Sequence, residues 1–455
     1  MKKKIAFISE HASPLALLGG VDNGGQNVYV AELARELAKS GHIVDVYTRK
    51  YEADQPEEVN WLPGIRVIHI KAGPAMFIEK ENLLQYMHEF ADNMLDFINR
   101  ERVYYDLVHA NFFMSGLVAS IIKKVLRIPY VITFHALGLV RRAHQKEHDR
   151  FPEERISIEK YIIEEADRVV AECSQDKHDL MSYYHADAAK IAVVPCGFNP
   201  AEFYPIDKGM ARKKLGFSKD EKILLQLGRL VPRKGIDNVI RAVARLRNAI
   251  DPLRLVVVGG ETDEPDPLLT PELGRLQQIA KEEQVSDKVL FTGRKRREQL
   301  KFYYAAADVF ITTPWYEPFG ITPLEAMACG VPVIGANVGG IKYSVLHGKT
   351  GFLVPPNDPA ALAGSISDLL ANNRLLEKMK ANALKRVHKY FTWSCIANSM
   401  SRLYDTVLSE TQHAMSFNGR IWLKENFSIK AIRNLLPESF YAVLNVQYEK
   451  SCVPG

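Results

Sequence analysis

KILLQLGRLVPRKG, residues 222–235, runs four apolar residues, Ile223, Leu224, Leu225 and Leu227, into Gly228 and then sets Arg229 and Lys234 on a loop closed by Gly235. A short apolar run bounded by glycine reads as a buried strand of a parallel sheet. Upstream, short β-branched runs alternate with amphipathic stretches: KKIAFISE, HIVDVYTRK, IRVIHIKAG, YYDLVHAN, IPYVITFHA, RVVAECS and KIAVVPCGF are strand candidates. Val30, Leu33, Ala34, Leu37 and Ala38 recur at helical spacing between the first two, and Gly41 stops that helix. Such alternation predicts βαβ units with helices on both faces of a parallel sheet. The rhythm pauses from Asn199-Pro200 to Pro205, and KILLQLGRL restarts it, followed by LRLVVVGG, KVLFTG, DVFITTP, VPVIGA and GFLVPP. The fold class is therefore α/β, with two Rossmann-like, doubly wound domains in tandem. The expected division is 1–205, 206–390, and a 391–455 segment of helices and tail that packs back on the first domain. That packing follows from Trp422, Phe427, Phe440 and Tyr441, aromatics costly to leave in water.

The bulk properties agree. A chain of 455 residues holds two or three domains, and 47% hydrophobic with 25% charged residues is ordinary for a globular protein. The formal charge of +5, from 59 basic and 54 acidic residues, is too balanced for a nucleic-acid binder. MKKKIAFISEH has too short an apolar run for a secretion signal, which needs about 7–15 such residues, and reads as a first strand. No stretch approaches the roughly 20 apolar residues of a membrane span. Five scattered cysteines without a C-x-x-C pair suggest reduced thiols and a cytoplasmic protein.

In open α/β sheets, ligands bind beyond the carboxyl ends of the strands, so the strand-end loops carry the functional expectations. After the first strand, HASPLALLGGVDNGGQNVY (11–29) has glycine pairs at 19–20 and 24–25, the second opening a helix. Free N–H groups there suit a phosphate, although a flexible turn would use the same residues. Arg229 and Lys234 can neutralise a diphosphate or remain solvated. His135, in TFHALG, suits acid/base work or a substrate hydroxyl, or is a satisfied strand-end histidine. In YEPFGITPLE (316–325), Glu317 and Glu325 suggest a hydrolytic carboxylate pair, while Thr322-Pro323-Leu324-Glu325 spells a helix capping box. HGKT at 347–350 lacks the glycine five residues upstream that a P-loop requires. GRKRREQ (293–299) reads as a solvated helix start. His144 and His148 share a helical face without a third ligand, and no D-x-D pair is present, so neither a metal nor another cofactor is expected.

GGVDNGGQN, TFHALG, GRLVPRKG and EPFGITPLEAMACGVPVIG with GG at 339–340 together resemble the family-four retaining glycosyltransferases of the GT-B fold, over about residues 1–405. Among them the N-terminal half is most similar to the branch of sucrose-phosphate synthases, mannosylfructose-phosphate synthase and inositol-phosphate glycosyltransferases. The resemblance implies hexosyl transfer, metal-independent and with retention, from a nucleotide sugar (uridine diphosphate glucose by analogy) to a small, phosphorylated sugar or polyol. It implies that Arg229 and Lys234 hold the donor diphosphate, with Gly25 closing over it. Glu317 and the backbone of Phe319, Gly320 and Ile321 would hold the sugar, Glu325 the ribose, and Arg294 would lie near the base. His135 would contact the sugar at the reacting carbon, so His135, Glu317, Arg229 and Lys234 form the expected catalytic set. Gln26, Asn27, Lys80, Arg141, Arg142 and Arg155 are the implied acceptor ligands. Two departures stand out: Phe112-Phe113 where inositol-phosphate enzymes use a tyrosine, and Ala136 where some relatives place a hydroxyl. A sugar-nucleotide epimerase of the same fold, or a non-catalytic nucleotide-sugar binder, is the alternative function.

Overall fold

Alternation of buried strands with amphipathic helices builds two parallel sheets in the computed structural model, which describes residues 2–16, 24–146, 149–418 and 440. Gly19-Gly20, His148, Trp422, Phe427 and Tyr441 lie outside the described residues. The first sheet has the spatial order β3 (Glu58–Leu62), β4 (Ile65–Ile70), β2 (Ile43–Arg49), β1 (Lys4–Ile8), β5 (Leu107–Asn111), β6 (Tyr130–Thr133), β7 (Arg168–Ala171), β8 (Ile191–Val193). All its neighbours are parallel except β3, which pairs antiparallel with β4. That edge strand, EVNWL, was not anticipated: it is only half-buried and carries no continuous apolar run.

The second sheet has the order β11 (Val289–Phe291), β10 (Leu253–Val258), β9 (Lys222–Leu227), β12 (Val309–Thr312), β13 (Val333–Ala336), β14 (Gly351–Val354), every neighbour parallel. This is the 3-2-1-4-5-6 order of a doubly wound sheet, whose switch point lies between β9 and β12. In the first sheet the corresponding reversal lies between β1 and β5. Helices cover both faces because their apolar residues fall on one stripe. In α8 (Ile236–Leu246), Ile236, Val239, Ile240, Val243 and Leu246 are all buried at spacings of three and four. Burying each contributes about 1.5–3 kcal/mol as an upper bound. The helix begins at Gly235, whose φ of +64° and approach to Thr313 leave no room for a Cβ: one would sit 2.1 Å from the Thr313 carbonyl oxygen.

The chain returns to the first sheet through α15 (Trp393–Asn418). Trp393 packs edge-on against Tyr29 at 5.7 Å, Tyr404 Oη lies 2.7 Å from Nδ1 of buried His109, and Asp405 pairs with Lys3 at 2.7 Å. Burial, with the neighbouring His135, pushes the His109 imidazole down to about 3, so the ring under this helix is neutral. Phe440 is also buried among first-sheet residues, with its ring 5.3 Å from that of Tyr161.

Candidate active site

The loops after β9 and β12 meet those after β1, β5 and β6 across a cavity of about 370 Å³. Gly25, Gln26, Asn27, Lys80, His135, Arg141, Arg229, Lys234, Arg294, Glu317, Phe319, Gly320, Ile321 and Glu325 all line it. Arg142 and Arg155 do not.

On the second sheet's side, a single 3-10 turn after β9 (Pro232–Lys234) aims the Lys234 ammonium at the Glu317 carboxylate, with which it forms a hydrogen-bonded ion pair. Arg233 Nη1 stands 3.7 Å from the same carboxylate. Burial alone would raise the Glu317 carboxyl, but Lys234 and Arg233 overcome it and hold it below its ordinary value. Burial lowers the Lys234 ammonium despite Glu317, with Arg233 and Arg229 adding like charge. Three cations thus converge on one strand-end loop.

The Glu317–Phe319 backbone is pressed into place by Gly339-Gly340, which explains that glycine pair. A Cβ on Gly339 would meet the Glu317 carbonyl oxygen at 1.8 Å, and one on Gly340 would meet Phe319 Cα at 2.3 Å. The Gly340 N–H donates to the carbonyls of Glu317 and Pro318, at 3.2 and 3.1 Å.

Glu325 lies in the first turn of α11 (Thr322–Ala328), and here two expectations are corrected. The N-cap is Ile321, with no side-chain cap bond, so Thr322 and Pro323 are the first two helical residues and no capping box forms. Arg297 donates to Glu325 Oε1 at 3.2 Å and Tyr304 donates to Oε2 at 2.9 Å. The basic run 293–299 is therefore not merely a solvated helix start: Arg297, first residue of α10 (Arg297–Ala306), turns inward between Glu325 and Glu202, at 2.5 Å from the latter. Burial raises the Glu325 carboxyl, against the lowering effect of Arg297 and Tyr304. Arg294, at the cavity's edge, pairs with Asp263 at 3.1 Å.

The first sheet supplies the opposite wall. α1 (Gly25–Lys39) starts at the Gly24-Gly25 pair, facing Arg229 and Ile321: a Cβ built on either glycine would lie 4.0 Å from Arg229 Cδ and 3.9 Å from Ile321 Cδ1, respectively. Asn27 accepts from the Gly24 N–H at 2.9 Å and donates to the Ser13 carbonyl at 3.0 Å, fixing the loop's return. Gln26 donates to Ser9 Oγ and to the Asn111 carbonyl, both at 3.2 Å. His135 sits at φ +58°, a left-handed conformation that is rarely held by a non-glycine residue away from a functional or tightly supported turn. Its Nδ1 is 3.1 Å from Glu172 Oε1 and its Nε2 3.1 Å from Asn111 Oδ1, while the Tyr29 ring packs edge-on at 4.7 Å. Glu172 also accepts from Cys196 Sγ at 3.1 Å.

Arg155 corrects the sequence reading of the acceptor side. Its guanidinium is buried among the rings of Phe112, Phe113 and Phe151, 4.5 to 5.0 Å from their centroids. Nε donates to Glu159 at 2.7 Å and Nη2 to the Ala136 carbonyl. Glu159 in turn accepts from the Gly138 N–H at 3.0 Å. Arg155 and Glu159 thus clamp the backbone on either side of Leu137, just beyond His135. Arg142, on α4 (Gly138–Gln145), points to the Pro152 carbonyl at 3.4 Å. Sequence reasoning passed over Arg233, Arg297, Tyr316, Glu172 and Cys196, all of which line the cavity. Arg233 adjoins Lys234 and was legible as a third cation; the others depend on partners distant in the chain. Among the described residues, no group of three or more His, Cys, Asp or Glu side chains is arranged to hold a metal ion, and no helix is long and apolar enough to cross a membrane.

Residues 23–202 match the family model described as Glycosyltransferase Family 4, and residues 207–386 match that of Glycosyl transferases group 1. A D-inositol 3-phosphate glycosyltransferase of Corynebacterium glutamicum is 35% identical, the match covering 90% of this chain and 100% of that one. The chain is a family 4 glycosyltransferase. Its structure resembles that of sucrose-phosphate synthase from Thermosynechococcus elongatus, 34% identical, with a TM-score of 0.82 over 90% of this chain and 100% of that one. Anabaena HepE, in complex with UDP and glucose, is 20% identical with a TM-score of 0.69 over 89% of this chain and 100% of that one, a likeness of fold. The glycosyltransferase thus has the two-domain GT-B architecture that its tandem strand pattern implied.

Proposed function

We propose that this glycosyltransferase moves a hexosyl group, with retention, from a nucleotide diphosphate sugar to a hydroxyl of a small phosphorylated sugar or polyol. The observation that carries the reading is the facing of Arg229, Arg233 and Lys234 against the Gly24-Gly25 helix start across one cavity. Cations on one wall and a helix N-terminus on the other suit a diphosphate between them.

In this reading the donor diphosphate takes Lys234 from Glu317, and the freed carboxylate accepts hydrogen bonds from the sugar hydroxyls. Phe319, Gly320 and Ile321 support the sugar through their backbone. Glu325, with each oxygen already oriented by Arg297 or Tyr304, accepts from the ribose, and Arg294 flanks the base. The bond from the sugar's anomeric carbon to the diphosphate oxygen breaks, and the acceptor oxygen enters on the same face. Its proton passes to the departing phosphate oxygen. The charge that grows on the diphosphate is met by the three cations, so the chemistry rests on positioning and preorganised charge, and no metal is invoked. His135, held by Glu172 and Asn111 in its strained turn, places a polar edge at the reacting carbon.

The acceptor wall offers Lys80 and Arg141 as anion contacts. The named relatives that exceed 30% identity, an inositol 3-phosphate glycosyltransferase and a sucrose-phosphate synthase, both bear phosphorylated compounds in their names, which supports a phosphorylated acceptor. Phe112 and Ala136, two of the departures noted in the sequence, lie in the cavity wall and weaken, without removing, an inositol phosphate as acceptor. Uridine diphosphate glucose is proposed as donor by the same analogy.

The test is nucleotide release from a panel of uridine, guanosine and adenosine diphosphate sugars, each paired with free and phosphorylated sugars and inositol 3-phosphate, with product anomers read by NMR. A phosphorylated acceptor should be preferred and the donor's anomeric configuration kept. Preference for a free sugar would overturn the acceptor assignment, and transfer undiminished in Lys234→Ala or Glu317→Ala would overturn the donor site.

A further inference from the structure

Tyr316 is where the two walls of the cleft touch. Its ring, buried at the end of the loop after β12, stacks nearly flat on His144 of α4, with centroids 4.9 Å apart and planes 18° from parallel. The next residue, Gln145, donates from its side-chain amide to the Tyr316 hydroxyl. The other end of that amide, Oε1, lies 3.4 Å from Nη2 of Arg141, one helical turn earlier on the cavity wall. On the donor side, Arg233 stands over the Tyr316 ring at 5.3 Å, with Nη1 3.5 Å from the Tyr316 carbonyl oxygen, and the residue after Tyr316 is Glu317. A continuous path thus runs from Arg141 through Gln145 and Tyr316 to Arg233 and Glu317.

Each link in this path is directional. An amide that accepts from a guanidinium at one end and donates to a phenol at the other has one orientation. Arg141 has competing partners, Asp149 at 3.1 Å and the Phe151 ring at 5.0 Å, so it is not committed to Gln145. An anion bound from the cavity would fix the guanidinium, which would fix the amide that holds Tyr316 on α4. The backbone beyond Tyr316 carries the carboxylate proposed to hold the donor sugar.

We propose that Gln145 and Tyr316 are positioning residues that couple acceptor binding at Arg141 to the donor loop, so that each substrate tightens the other. The inference rests on the proposed assignment of donor and acceptor walls. Linkage makes the coupling reciprocal, and it leaves donor bound alone less firmly held, which limits its loss to water.

The test is calorimetric titration of the full chain with UDP, GDP and ADP, alone and with saturating fructose 6-phosphate or inositol 3-phosphate. Wild type should bind one diphosphate about fivefold or more tightly when a sugar phosphate is present, within the usual range of coupling. In Tyr316→Phe, which keeps the ring and loses only the hydroxyl, and in Gln145→Ala, the ratio should fall below about twofold, and the double variant should fall no further. Affinity without sugar phosphate and the melting temperature should stay close to wild type, which a merely structural role would not allow. Unchanged coupling in both variants, or a ratio of one in wild type that nevertheless binds a diphosphate, overturns the inference alone. Failure of wild type to bind any diphosphate overturns the functional reading and the inference together.

Discussion

Replacing Lys234 by methionine keeps the length of the side chain and removes its charge from Glu317. Both groups are mostly shielded, with 19% and 13% of their side chains exposed, so the remaining carboxylate would have little water to turn to. Breaking a buried pair by removing one member costs about 3–5 kcal/mol when nothing compensates. Arg233, 3.7 Å from the same oxygen, retains part of the attraction. The expected loss for Lys234→Met is therefore about 2 kcal/mol, or roughly 4–8 °C in melting temperature for a domain of this size. The double variant Lys234→Met/Glu317→Gln leaves no orphaned charge and should recover most of that loss, while sugar transfer stays abolished. Differential scanning calorimetry on the four proteins of the cycle reads both quantities, as differences only, since a two-domain chain need not unfold in one step. The sign with pH gives a second check. Glu317's folded carboxyl is held below its unfolded value, so its contribution is present above the unfolded carboxylate range and lost as pH falls through the folded value. The gap between wild type and Lys234→Met should be widest near neutrality and close in acid. A single variant as stable as wild type, or a double variant showing the sum of the single losses, would refute the reasoning.

Gly340→Ala should cost more activity than stability, because its Cβ would press on Phe319 and displace the donor loop; a donor KM within twofold of wild type would contradict this. Arg155→Ala leaves Glu159 as a buried charge and should lower stability by about 3 kcal/mol, whereas Arg155→Ala/Glu159→Gln recovers part of it, measured by thermal unfolding. His109 is buried neutral and its folded value of about 3 lies below the unfolded one, so stability should fall from about pH 6.5 toward pH 3 as the unfolded state takes up a proton. A His109→Asn variant should show a shallower acid slope in the same melts. Ile240→Ala in α8 should cost about 2–5 kcal/mol without altering donor affinity in the folded enzyme, separating core from site.

Most of the architecture was legible because a parallel sheet buried on both faces writes its strands as near-continuous apolar runs, and LRLVVV or KILLQL admits no other easy reading. The edge strand Glu58–Leu62 escaped because an exposed antiparallel edge has no such run. Loop residues on a fixed strand end, Arg229, Lys234 and Glu317, were legible for the same reason: topology fixes where a strand end points. Arg155 was misplaced because its fate turns on Phe112, Phe113, Phe151 and Glu159, brought together by two loops and a helix. A cation's sequence neighbours do not tell whether it faces a ligand or three phenyl rings. Arg297 erred the other way, read as solvated from the company of Arg294, Lys295 and Arg296, although it turns inward to Glu325 and Glu202, partners distant in the chain.

The two glutamates of YEPFGITPLE look like a catalytic pair in sequence and behave as two separate devices in the fold. Glu317 precedes the helix and Glu325 lies within its first turn, so their spacing is set by the turn that Gly320 and the Gly339-Gly340 contact permit. Their surroundings push them in opposite directions: Lys234 and Arg233 depress one carboxyl, while burial raises the other in spite of Arg297. A hydrolytic couple would need one of them to give up a proton to the substrate and the other to attack or to activate water. Glu317 is instead saturated by cations, and both oxygens of Glu325 accept from protein donors. Each carboxylate is therefore held as a hydrogen-bond acceptor, and under the proposed function the loop and first turn between them set the distance from the donor's sugar to its ribose.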